Sequence, residues 1–212
     1  MRYDISRKNE YATQRDNAKR PGASCNVTSV INACRASGIR LVTPEGVQAE
    51  DYLMGILEGA EARAEFSRRF PGATCHPWNV SPMLEWVANK VAGRRICITD
   101  NNTSIKDIMF HIVKEQAAVV IGGDFTVYGH IVTVVGFDTT QENILAIHGP
   151  EEVDQAKLAA LVIDDPYGDY RTKYQDHNGD SVPMPLDDFK KIVYSGGRMR
   201  KIALKLYNTL EA

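Results

Sequence analysis

The chain has 212 residues, 43% of them hydrophobic and 25% charged, with a formal net charge of -2. That length suits one sizeable core, so a single domain over residues 1–212 is expected. The near-neutral balance gives no general attraction to nucleic acid or to an anionic membrane surface.

The opening MRYDISRKNEYATQRDN is polar and lacks the apolar stretch of about 7 to 15 residues that marks a secretory signal, so synthesis without export by that route is expected, and a cytoplasmic start. The longest apolar runs, AAVVIGG and HIVTVVGF, are far shorter than the ~20 residues that cross a bilayer, so no membrane insertion is expected.

Residues 1–21 are rich in charge and poor in apolar spacing, and read as a surface arm leading to Gly22. Val27, Val30, Ile31 and Cys34 then recur on one helical face, with Gly38 placed to end the helix in a left-handed turn. Cys25 falls in its first turn. Tyr52, Leu53, Ile56 and Leu57 keep helical spacing within a stretch running from Gln48 to Phe70, which PGATCHPWN interrupts. A further helix starts near Ser81, a suitable cap, with Pro82 at its first position. RICITD (95–100) alternates like a short strand, and Ser104 opens a helix faced by Ile105, Ile108, Met109 and Ile112.

The second half changes character. AAVVIGG (117–123), HIVTVVGF (130–137), ENILAI (142–147) and LAALVID (158–164) read as sheet strands, LDDFKKIVY (186–194) as a short amphipathic helix and KIALKLY (201–207) as a last strand. Helices followed by strands, with no internal repeat and no flexible linker, predict an α+β fold.

Four cysteines at positions 25, 34, 75 and 97 form no CxxC pair, and free thiols are expected. Cys25 is the one with chemical promise. The unpaired N–H groups of a helix start favour a thiolate there, although a small thiol can equally fill space at a helix end. A thiol nucleophile needs a base, and among five histidines His130 is the best placed, at the head of a strand and after Gly129. His111 lies in a helix as a surface or core-edge residue, His148 and His177 in turns, and His76 in a loop.

A base needs an orienting acceptor, and VIDDPYG supplies one. Pro166 should end the strand and leave Asp165 at the sheet edge, with Asp164 facing the other way. Gln14 could donate to the oxyanion of an acyl transfer, or Asn17 instead. Asp176, Asn178 and Asp180 imitate part of a calcium loop, but the glycine comes too early, and a solvated turn is favoured. Cys75-His76 lacks zinc spacing. No metal and no cofactor are expected.

Taken in order, TQRDN, SCNVTSV, GHIVTVVGFD and VIDDPYG resemble the motifs of papain-like cysteine peptidases, most closely the bacteriocin-leader (double-glycine) peptidase-like branch and its phage-encoded relatives. DHNGDSVPMPLDDFKK is similar to that branch's closing turn and helix. Asn26 stands where the family usually has glycine. The resemblance spans roughly residues 11–195 and implies a papain-like fold, an N-terminal helical half packed against an antiparallel β-sheet half.

It also implies that Cys25 is the nucleophile, His130 the general base and acid, Asp165 the orienter and Gln14 the oxyanion donor. The expected substrate is a peptide, above all the stem or cross-link peptides of peptidoglycan. A cytosolically made peptidase with no evident propeptide spares its host when its substrate lies outside, as for a phage endolysin released to the wall by holin-mediated lysis. A protein-directed protease (a maturation enzyme or toxin) and an inactive papain-like binding module are the alternatives.

Overall fold

A computed structural model describes residues 1–7, 10–194 and 203–208. Strand β1 (Arg2–Asp4) is followed by helices α1 (Cys25–Ala36), α2 (Ala49–Glu58), α3 (Ala60–Arg69) and α4 (Ser81–Ala92). Then come β2 (Cys97–Thr99), α5 (Ile105–Glu115), β3 (Val119–Gly123), β4 (His130–Thr139), β5 (Leu158–Asp164), β6 (Val182–Pro185), α6 (Leu186–Val193) and β7 (Ala203–Leu206). The fold is mixed α+β, with six helices and one antiparallel sheet of seven strands among the described residues. No helix among those residues is long and apolar enough to cross a membrane.

The sheet runs in the order β2-β7-β3-β4-β5-β6. Strand β4 organises it because it is long enough to take two partners along one edge. Val119–Gly123 pairs with residues 130–134, and β1 pairs with residues 136–138 beyond them. A register shift between Val134 and Gly136 lets the strand change faces. Val135 packs with the α1 side, whereas Phe137, two residues on, packs with the opposite side.

The sheet is covered on both faces. Val27, Val30 and Ile31 of α1, Leu53 and Leu57 of α2, and Leu84 and Val87 of α4 share one core with Val120, Val135, Val162 and Leu204. Ile108, Met109 and Ile112 of α5 and Phe189 and Val193 of α6 share the other with Ile121, Val132, Val134 and Ile163. The expected arrangement of a helical half against a sheet half therefore describes only one face. Strands such as β3, buried along their whole length, read as continuous apolar runs because helices lie on both sides.

Several expectations are corrected. The segment 1–21 is not a surface arm: it supplies β1, and Gln14 and Asn17 are buried. The helical stretch 48–70 is two helices, because Gly59 adopts extended backbone between α2 and α3. Residues 142–147 form no strand; Ile144–Ala146 is a single 3-10 turn with Ile144 turned into the core. Ser81 does not cap α4, since it is already helical and Val80 occupies the cap position. His111 is buried, its ring bonded to the Leu206 carbonyl at 2.7 Å. Of the predicted last strand, Lys201 and Ile202 lie outside the described residues.

Gly136 shows how tightly β1 is laid on. A Cβ built there would sit 2.2 Å from the Tyr3 carbonyl oxygen and 2.8 Å from the Asp4 Cα, both main-chain atoms. Gly136→Ala is therefore expected to lower stability by about 1–3 kcal/mol. Urea unfolding reads the loss, and faster amide exchange of residues 3–5 than elsewhere in the sheet locates it.

Candidate functional site

Cys25 is the first residue of α1, so its backbone N–H has no acceptor within the helix. Two reciprocal hydrogen bonds fix where that helix start lies. Ser29 Oγ donates to the Ile131 carbonyl and Thr133 Oγ1 donates to the Ser29 carbonyl, each at 2.8 Å. Ser29 is one helical turn after Cys25 and on the same face, and Ile131 follows His130. The bonds that lock α1 onto β4 thus bring the thiol to the head of the strand.

His130 is buried, and its Nε2 lies 2.7 Å from Asp165 Oδ1. With that nitrogen engaged, Nδ1 is the one left to face the Cys25 side chain, which shares a cleft with the ring and favours its protonated form. Burial opposes the charged ring, but the Asp165 carboxylate and the Cys25 sulfur outweigh it and push the His130 pKa up to about 10. Cys25 is a partly exposed residue, unlike the buried Cys34 and Cys97, and all four cysteines are free thiols.

Asp165 lies just past the end of β5, and its surroundings hold it firmly. Its backbone N–H donates to the Gly179 carbonyl at 2.9 Å, and its Oδ1 also accepts the Tyr167 N–H at 2.9 Å. The N-terminal segment straps the loop from outside. Tyr11 donates its hydroxyl to the Asp165 carbonyl at 2.6 Å, the Gln14 N–H reaches the Pro166 carbonyl at 2.8 Å, and Arg15 Nε reaches the Tyr167 carbonyl at 2.8 Å. The Arg15 guanidinium also lies 3.9 Å over the Tyr167 ring.

Asp164 faces away, as strand alternation requires. It accepts the Ser181 N–H at 2.9 Å. Burial, aided by Asp180 and Asp4, pushes its pKa up to about 8.

The oxyanion candidates fare differently. Asn17 spends both amide hydrogens, on Ser24 Oγ at 2.8 Å and Thr28 Oγ1 at 2.9 Å, so it has no donor left. Gln14 Nε2 donates to the Pro21 carbonyl at 2.7 Å, which leaves one amide hydrogen, and its side chain is not among those lining the cleft at Cys25. Asn26 is anchored: its Nδ2 donates to the Trp78 carbonyl at 2.6 Å and ties the start of α1 to the turn Pro77–Asn79.

Cys25 and His130 open on a cleft of about 290 Å³ whose walls include Ala23, Gly122, Gly123 and Gly129, and among the described residues that line it none has a charged side chain except a protonated His130. Val127 and Tyr128, both almost fully exposed, stand at the tip of the connection between β3 and β4, and Tyr128 reaches the cleft. A larger cavity of about 560 Å³ lies further along α1 by Cys34, Arg35 and Glu50 and includes neither Cys25 nor His130.

The aromatic rings around the imidazole lie outside the sequence pattern that marks Cys25, His130 and Asp165. Phe125, Tyr167 and Tyr174 all meet the His130 ring edge-on, at 6.1 to 6.2 Å between centroids. Tyr167 belongs to VIDDPYG, but nothing in the spacing of Phe125 or Tyr174 marks them. Lys173 and Tyr174 have φ of 55° and 63°, two successive non-glycine residues in the left-handed region, a conformation that costs about 1–2 kcal/mol per residue.

Asp176, Asn178 and Asp180 form consecutive side-chain turns, Asp176 Oδ1 accepting the Asn178 N–H and Asn178 Oδ1 the Asp180 N–H. His76 stacks on Trp78 with 4.2 Å between ring centroids. No protein-family model matches this chain, and no curated protein matches it significantly.

Proposed function

We propose that the protein is a papain-like cysteine peptidase that cleaves peptide bonds through a thioester, with Cys25 as nucleophile, His130 as general base and acid, and Asp165 as orienter. The observation that carries the reading is the buried imidazole between the Asp165 carboxylate at 2.7 Å and the Cys25 thiol. The Cys25 sulfur attacks the substrate carbonyl carbon as a thiolate beside the His130 imidazolium. Negative charge builds on the carbonyl oxygen, where the free N–H at the start of α1 can donate, joined by the remaining amide hydrogen of Gln14 if the side chain turns.

The tetrahedral adduct collapses as His130 gives its proton to the leaving amine, breaking the C–N bond and leaving the thioester. A water molecule then gives a proton to the neutral His130 and adds to the thioester carbonyl. The C–S bond breaks, releasing the acid and restoring the thiolate–imidazolium pair. No residue in this scheme requires a metal or cofactor.

The substrate we favour is the stem or cross-link peptide of peptidoglycan, cleaved by an endolysin-type enzyme that reaches the wall on lysis. The small residues and uncharged walls of the cleft suit short side chains such as the alanines of those peptides. A protein-directed peptidase is the second reading, favoured by the exposed Val127 and Tyr128 at the cleft mouth, which offer an apolar handle. Purified protein incubated with Gram-negative and Gram-positive sacculi is expected to release new amino termini. Casein cleavage without release from sacculi decides for the second reading, and inertness toward both contradicts the peptidase.

A further inference from the structure

We propose that the Tyr174 hydroxyl is the hydrogen-bond donor that serves the second oxygen of Asp165, making Tyr174 a positioning residue for the Cys25–His130 pair. The inference rests on the peptidase reading and extends it to a residue outside the sequence motifs.

Among the described residues the Asp165 Oδ2 and the Tyr174 hydroxyl are buried without a hydrogen-bond partner, as is the Tyr170 hydroxyl, whose ring, unlike that of Tyr174, is not among those that meet His130. The carboxylate oxygen only accepts and the Tyr174 hydroxyl can donate. The Tyr174 ring meets the His130 ring that Asp165 holds, and after burial the Asp165 carboxylate is the largest influence keeping the proton on the Tyr174 hydroxyl. Oδ1 is committed to His130 and to the Tyr167 N–H. Oδ2 is the oxygen left without a donor, and a buried carboxylate oxygen without a donor destabilises the charge that His130 relies on.

The backbone is arranged to bring the ring there. Lys173 and Tyr174 take left-handed backbone in succession, and the Tyr174 N–H returns to the Asp169 carbonyl at 3.1 Å. An exposed turn with no task would be free to use glycine at such positions. Here the strain turns an aromatic ring inward until it meets both His130, at 6.2 Å and 79°, and Tyr167, at 5.0 Å and 71°. Strain of this kind persists where the surrounding structure over-determines it, and it concentrates at functional sites.

Tyr174→Phe keeps the ring and removes only the hydroxyl. The readout is the rate of Cys25 alkylation by iodoacetamide from pH 5 to pH 11, followed by mass spectrometry with the exposed Cys75 as internal reference. Without its donor the Asp165 charge supports the imidazolium less well, so the thiolate–imidazolium pair should give up its His130 proton at lower pH. The alkaline limb of the Tyr174→Phe profile is expected to move down by about one pH unit, a tenfold change in that proton equilibrium.

In an Asp165→Asn background the same substitution should leave the profile unmoved, because the acceptor charge is gone. A merely structural tyrosine would lower the melting temperature without moving the limb. Superimposable wild-type and Tyr174→Phe profiles, or an equal shift in the Asp165→Asn background, overturn the Tyr174 role alone. Wild-type Cys25 reacting no faster than Cys75 overturns both the role and the activated thiol beneath it.

Discussion

Cys25→Ala is expected to abolish peptide-bond cleavage, lowering the rate by about 10⁴-fold or more, the scale on which covalent catalysis fails when its nucleophile is removed. The substitution takes away one sulfur atom at a partly exposed position, and α1 keeps its two bonds to β4 through Ser29 and Thr133. The variant should therefore melt within a few degrees of the parent while releasing nothing from sacculi or casein. In the parent, iodoacetamide at neutral pH should label Cys25 ahead of Cys75, although Cys75 is the more exposed. Cleavage by the Cys25→Ala protein at the parent's rate contradicts the mechanism.

Asp165→Asn is the second large effect. An amide at this position can hold the ring but carries no charge to stabilise its protonated form, and a loss of about 10²-fold or more in cleavage is expected. The pH dependence of stability should change with it. In the folded protein His130 has its pKa raised from 6.5 to about 10. A group whose folded value exceeds its unfolded value stabilises the fold in its protonated form, fully below about pH 6.5, and that contribution fades as pH rises toward 10.

The parent should thus lose melting temperature between pH 6.5 and 10, and Asp165→Asn should lose less over the same range because the charge that raises the value is gone. Thermal unfolding at four or five pH values reads both. Equal slopes for the two proteins would mean that Asp165 does not support the imidazolium. Full activity of Asp165→Asn would remove the orienter from the scheme. Asp164 could not replace it directly, since that carboxylate faces the Ser181 N–H on the other side of the strand.

The site was legible in outline because its members mark themselves locally. A cysteine beside small residues at the onset of helical spacing, Gly-His at the head of an apolar run and Asp-Pro at the end of another are features of short segments. The structure brings three of the four named residues together, Cys25, His130 and Asp165. Gln14 lies buried with one amide hydrogen on Pro21, so its role depends on how the side chain turns when substrate arrives. The strand over 158–164 matched to the residue because a short, largely buried apolar run that ends at Asp-Pro leaves little choice.

Other features depend on partners distant in the chain. Residues 2–4 look like any polar terminus until Gly136 offers them a strand to lie against with no Cβ in the way. ENILAI has strand-like composition, yet no sheet edge takes it up, and Ile144 is buried through a 3-10 turn instead. Local sequence therefore determined most of the helices and the long buried strands, and where Cys25, His130 and Asp165 stand on them, because these follow from side-chain periodicity and breakers. Only the tertiary structure decided that the sheet is covered on both faces, that residues 11–15 strap the Asp165 loop and that Tyr174 reaches the imidazole. Those outcomes rest on packing and hydrogen bonds between segments up to about 150 residues apart, for which no spacing within a single segment carries a signal.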